Sequence, residues 1–147
     1  MTKIFSTANN ENIKKIIDED SKKITIFSTS LAPQVLGHYS KSTVAGNFVF
    51  CSGQIGIDPD TEELVTGGIE EETRQACRNI RAVLAEHLLG LRNVVKTTIF
   101  VSDIKNIDVI NTLYKDYFVL KPARTLVEVK SLPKGALIEI EAVAMIK

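Results

Sequence analysis

The sequence predicts an α+β domain in which a mostly antiparallel sheet carries two helices on one face. Three observations lead there. Six stretches are rich in β-branched residues or alternate apolar with polar; two others repeat apolar residues three and four apart; and their order is β-β-β-α-β-α-β-β. At 147 residues the chain holds one domain's worth of material. Folding at that size hides about 68–70% of the open chain's surface. A composition that is 44% hydrophobic therefore supports a core without disulfides or metal.

Residues 1–22 read as an N-terminal extension, and 23–147 as a single domain. The stretch 10–23 is polar, with Ile13, Ile16 and Ile17 at helical spacing and Asn9 or Asn10 as a cap, so the extension is a short amphipathic helix or a mobile segment. Ile24-Thr25-Ile26-Phe27 reads as a strand. Thr43-Val44-Ala45 and Phe48-Val49-Phe50-Cys51 flank Gly46-Asn47, a pair able to take the positive φ of a hairpin turn. Over 69–88 the residues Ile69, Ala76, Ile80, Val83 and Leu84 keep one helical face, Glu70, Glu71 and Glu72 load acid on the first turn, and Gly90 is the expected stop. The run 94–101 alternates and is β-branched, hence a strand. A second helix over 107–118 must end before Lys121, because Pro122 disfavours helical geometry in its predecessor. Strands over 125–130 and 137–146 close the chain around the turn Leu132-Pro133-Lys134-Gly135.

The last strand places Ile138, Ile140, Ala142, Ala144 and Ile146 on one side and Leu137, Glu139, Glu141, Val143 and Met145 on the other. Both sides carry apolar surface, and two helices cover only one of them. An uncovered apolar sheet face marks an interface, so the reading is a homo-oligomer.

Charge and cysteine narrow the functions. Eighteen Lys+Arg balance eighteen Asp+Glu, which removes the broad positive field behind most nucleic-acid binding. Cys51 and Cys77 are far apart, with no CxxC and no neighbouring His pair, so neither a metal set nor a disulfide framework is expected. They read as small buried hydrophobes in a reducing compartment. The first residues lack the apolar run of a signal peptide, and no apolar stretch approaches 18 residues, so the expectation is a soluble, cytoplasmic protein with no membrane association.

Several spaced motifs carry a likeness. Ser52-Gly53-Gln54-Ile55, Val94 through Val101, Asn111 with Tyr114, Pro122-Ala123-Arg124-Thr125-Leu126, and Leu132-Pro133 followed by Ile138-Glu139-Ile140-Glu141-Ala142 together resemble the RidA/YjgF/UK114 family. The resemblance runs from about residue 23 to 147. It implies a chorismate-mutase-like fold assembled as a homotrimer with pockets between subunits. The activity it implies is hydrolysis of reactive 2-imino acids, such as 2-iminopropanoate and 2-iminobutanoate, to 2-keto acids and ammonia, with no cofactor. Some members carry an older description as endoribonucleases that inhibit translation.

On residues alone Arg124 is either a surface ion pair or an anion clamp, since a guanidinium fork matches a carboxylate with two parallel hydrogen bonds. The resemblance makes it the carboxylate-binding arginine. Glu139 and Glu141 share a strand face, which on residues alone is a solvated side. The resemblance singles out Glu139 as the acid that orients the attacking water. It also gives Tyr39, Ser52, Gly53 and Asn111 as substrate-binding positions, each with an ordinary alternative: a packed loop tyrosine, a polar strand end, a close-approach glycine and a helix-surface amide. Two departures stand out. His38 replaces the family's proline before Tyr39, loosening that loop. Leu126 occupies the place of a cysteine found in many relatives, which leaves only a backbone carbonyl to contact substrate there. The stretch from Phe118 to Pro122 is also short, so the cleft rim is shaped differently. His38 and His87 read as loop and helix-end histidines without visible partners.

The function expected is therefore hydrolytic deamination of a small 2-imino acid. A ribonuclease would need a basic groove and an acid/base pair that the balanced charge does not supply. A regulatory trimer that holds a keto acid without turnover would use the same arginine.

Overall fold

The computed structural model describes residues 31–146 in full and, for their backbone, three N-terminal strands: β1 (Lys3–Phe5), β2 (Ile13–Ile17) and β3 (Ile24–Phe27). There follow β4 (Ser42–Ala45), β5 (Phe48–Ile55), α1 (Gly68–Ala85), β6 (Val94–Val101), α2 (Ile107–Tyr117), β7 (Ala123–Glu128) and β8 (Ile138–Met145). They form one eight-stranded sheet in the order β1-β2-β3-β4-β5-β8-β6-β7. Every pairing is antiparallel except β6 with β7, where α2 returns the chain to the end from which β6 began. The fold is α+β with a mostly antiparallel sheet, as the periodicity predicts.

Three local expectations are corrected. Where a helix was expected over 10–23, Ile13–Ile17 is instead strand β2, paired with β1 and β3. Ile13, Ile16 and Ile17 satisfy helical spacing, but isoleucine is β-branched and the adjacent strand β3 offers a ladder. The proposed cap at Asn9 or Asn10 lies outside the described residues. The stop of α1 is not Gly90: Leu88 takes φ 57°, and the Leu89 amide reaches back 3.1 Å to the Leu84 carbonyl, a left-handed cap made without glycine. Gly90 instead precedes a short 3₁₀ turn at Leu91–Asn93. Finally, β7 begins at Ala123, two residues earlier than expected, which puts Arg124 inside the ladder opposite Thr97.

The hairpin between β4 and β5 turns at Gly46, φ 58°. Between Cys51 and Gln54 the register of β5 against β8 shifts, so Ser52 and Gly53 form a bulge. The core lies between the helices and one sheet face: Ala76, Ile80, Val83 and Leu84 of α1 and Ile110 and Tyr114 of α2 bury against Val49, Ile99, Ile138, Ile140 and Ala144. On the opposite face Phe48, Phe50, Val127 and Met145 keep 38–48% of their surface exposed. Nothing among the described residues covers that apolar face.

Buried polar groups fix α1 to the end of β5. Asn79 Nδ2 donates to the Ile55 and Ile57 carbonyls at 3.0 and 2.8 Å, and its own carbonyl accepts from Gln75. Gly56 permits this closeness, since a Cβ there would lie 2.7 Å from the Glu72 Cα, a backbone atom of the helix. Gly56→Ala must push helix from sheet and is expected to cost about 3 kcal/mol, read as a lowered thermal midpoint.

Candidate functional site

The first group of candidate residues gathers where α2 meets β7. Thr97 of β6, fully buried, shares a 2.7 Å hydrogen bond with the Tyr114 hydroxyl, and the Tyr114 ring stacks on Phe118 with centroids 4.3 Å apart. Burial raises the Tyr114 phenol above its ordinary pKa, with Thr97 and Arg124 opposing. Over that fixed ring lies Arg124, its guanidinium carbon 5.0 Å from the centroid. Arg124, Tyr114 and Asn111 line one cleft of about 310 Å³, together with Lys115 and Lys121. No carboxylate of the described residues pairs with Arg124. Leu126, two residues along β7, turns its side chain into the edge of the core instead.

A second group gathers on the other side of the sheet, around Glu139 of β8. Glu139 lies directly over Gly53: a Cβ on that glycine would be 2.0 Å from the Glu139 Oε1. The β5 bulge therefore makes the room the carboxylate occupies. Burial first, and then the neighbouring Glu141, raise the Glu139 carboxyl above the ordinary glutamate value. Tyr39 lines the same recess of about 40 Å³, with Gln54 and Lys41. The Tyr39 hydroxyl accepts from the Leu36 amide at 3.2 Å, which steadies the loop despite His38. Ser52 ties that loop to β5: its hydroxyl donates to the Ser40 carbonyl at 2.6 Å and its amide to the Lys41 carbonyl at 2.9 Å.

The two groups do not meet within one chain. Arg124 pairs with Thr97, whose side chain faces the helices; Glu139 alternates with the buried Ile138 and Ile140 and so faces away from them. Glu139 also sits two strands from β7, across β6. The chain thus presents a cationic cleft on the helix side of the sheet and a carboxylate recess on the open side.

Lys41 is a buried group that sequence reasoning missed. It is 2% exposed, its ammonium donates to the Ala32 carbonyl at 2.7 Å, and burial lowers its pKa against the pull of Glu86 and Glu62. Flanked by Ser40 and Ser42, it carries no apolar pattern that would have marked a buried position. His87 does have a partner: its Nε2 lies 2.8 Å from the Ser42 hydroxyl, and burial lowers its pKa. Cys51 and Cys77 are buried and free, and burial pushes both thiols up to about 12, so neither is a thiolate at neutral pH. Among the described residues no three His, Cys, Asp or Glu side chains gather as a metal site, and no helix is long and apolar enough to cross a membrane.

The fold and site define an α+β domain with an arginine-lined cleft on the helix side of its sheet and a separate carboxylate recess on the other. The model of the endoribonuclease L-PSP family matches residues 29–146, and the chain belongs to that family, the one its motifs resemble under the name RidA/YjgF/UK114. A 2-iminobutanoate/2-iminopropanoate deaminase of Homo sapiens is 43% identical over 121 residues, covering 82% of this chain and 88% of that one. A RutC family protein of Pyrococcus abyssi is 45% identical over 120 residues, covering 81% and 94%. Among solved structures, TdcF of E. coli with bound serine superposes with a TM-score of 0.79 at 32% identity, covering 83% of this chain and 98% of that chain.

Proposed function

We propose that this chain hydrolyses small 2-imino acids to 2-keto acids and ammonia, in sites completed where two copies meet. The observation that carries the reading is Arg124: a guanidinium set over an aromatic ring, facing a cleft, with no carboxylate partner among the described residues. Relatives at about 43% identity bear the deaminase name, and one structural neighbour holds serine, whose carboxylate is of the same kind.

Arg124 holds the substrate carboxylate with its fork, and Asn111 and Tyr114 bound the same cleft. Water, oriented by Glu139, adds to C2 of the imine. The tetrahedral carbinolamine then expels ammonia as its hydroxyl proton leaves, so R–C(=NH)–COO⁻ and H₂O become R–CO–COO⁻ and NH₃. An imine already hydrolyses in water by itself, and positioning with modest proton transfer supplies the acceleration.

Because Arg124 and Glu139 face opposite ways, one active centre requires the helix-side edge of one copy against the open face of another. Exposed Phe48, Phe50 and Met145 on that open face give such packing an apolar seam. A homotrimer in solution is expected by light scattering. The deciding assay is ammonia release from freshly generated 2-iminopropanoate or 2-iminobutanoate above the spontaneous rate. Tight keto-acid binding without turnover would point to a regulatory binder instead.

The Glu139 shift sets a pH prediction. Only the ionised carboxylate accepts a proton, so activity falls on acidification through a pKa above the ordinary glutamate value. Glu141→Gln removes the like charge and moves that acid limb to lower pH, as a pH–rate profile would show. The stability sign is opposite: between the unfolded and folded pKa values the native state binds more protons, so this group's contribution declines as pH rises.

A further inference from the structure

The cleft around Arg124 holds more positive charge than one carboxylate needs. Arg124, Lys115 and Lys121 all line it, and no Asp or Glu does. Neither lysine forms an ion pair with a described residue. This concentration occurs in a chain whose formal net charge is zero, so it is local rather than a general bias.

The backbone holds the extra cations in place. Lys115 sits in the last turn of α2, where the helix dipole favours a cation. Lys121 takes φ 54°, a left-handed conformation uncommon for a residue with a side chain, and its amide donates 3.0 Å to the Phe118 carbonyl. The turn from Phe118 to Lys121 is thus closed on itself. Pro122 follows with a fixed φ, so Lys121 enters the cleft wall from a rigid corner three residues ahead of the strand position of Arg124. Strain at such a position is retained where the surroundings over-determine it.

Resting on the imine-hydrolase reading above, we infer that the preferred substrates are 2-imino dicarboxylates, the imines of acidic amino acids, and that Lys121, assisted by Lys115, selects for the second carboxylate. Arg124 takes the carboxylate next to the imine carbon, as for any 2-imino acid. The distal carboxylate extends toward the lysine rim, where a monocarboxylate side chain would leave two ammonium groups without a counter-charge. The reaction is unchanged: ⁻OOC–(CH₂)ₙ–C(=NH)–COO⁻ and H₂O give ⁻OOC–(CH₂)ₙ–CO–COO⁻ and NH₃.

The test compares the full-length protein on 2-iminopentanedioate and 2-iminobutanoate, each generated in the cuvette by an amino-acid oxidase, for wild type, Lys121→Gln and Lys115→Gln. Calorimetry with the corresponding keto acids runs in parallel. Glutamine removes the charge and is one atom shorter than lysine, and Lys115 is exposed on its helix, so at least one variant removes the charge without disturbing the fold. Wild type is expected to favour the dicarboxylate, and Lys121→Gln to lower the ratio of the two kcat/KM values about fivefold, with a smaller drop for Lys115→Gln. Equal ratios in all three proteins, with the monocarboxylate still hydrolysed, overturn the inference and leave the hydrolase reading standing. If neither imine is hydrolysed, the hydrolase reading fails, and the keto-acid affinities still decide whether Lys121 selects for the second charge.

Discussion

Arg124→Ala is expected to lower imine hydrolysis by about a hundredfold or more, roughly 3 kcal/mol of transition-state binding, while leaving the protein folded. The structural cost is small because Arg124 is exposed and, among the described residues, its side chain rests on the Tyr114 ring, a contact worth about 0.5–1 kcal/mol at such a site. The functional cost is large because alanine offers nothing to the carboxylate, and substrate then loses the anchor that orients its imine carbon. Arg124→Lys is expected to recover little, since one ammonium cannot make two parallel hydrogen bonds from a plane. Wild-type rates in Arg124→Ala, with an unchanged melting curve, would remove the residue from the site.

Gly53→Ala is expected to be nearly as damaging to activity, about a hundredfold, with little loss of stability. The added methyl would sit 2.0 Å from Glu139 Oε1 and 2.9 Å from its Cγ, inside any tolerable contact. What must move is the far end of a flexible side chain, so the carboxylate swings out of the recess and the backbone stays put. The contrast with Gly56, three residues on, is instructive. There the methyl meets helix backbone, and the same substitution costs folding instead of chemistry. If Gly53→Ala kept full activity, Glu139 would not be the group that orients water.

Much of the architecture was legible because each element announces itself by period. Ile80, Val83 and Leu84 are spaced for one helix face, and all three are fully buried. The alternation in β8 likewise separates buried Ile138 and Ile140 from Glu139 and Glu141. Where the reading failed, one local pattern served two structures. Ile13, Ile16 and Ile17 suit a helix or a strand, and the ladder beside β3 decided between them. Leu88 as the stop of α1 could not be foreseen, because a left-handed leucine is held by hydrogen bonds that sequence does not display.

The candidate site divides in the same way. Tyr39, Gly53 and Glu139 meet at one recess, and Asn111 and Arg124 at one cleft, although the five come from four elements and a loop. That the two places lie on opposite faces follows from strand order and register, which depend on contacts far apart in the chain. Lys41 was invisible for a related reason: it is buried by loop closure onto Ala32, not by its own periodic setting.

The opposed placement of Arg124 and Glu139 also bears on how damage is inherited by an assembly. In the proposed shared site, a copy with a defective arginine would spoil the seam on its helix side yet still lend a sound acid to the neighbour across its other face. Mixed in one assembly, an arginine-defective copy and an acid-defective copy would then restore between them a sound seam that neither forms alone.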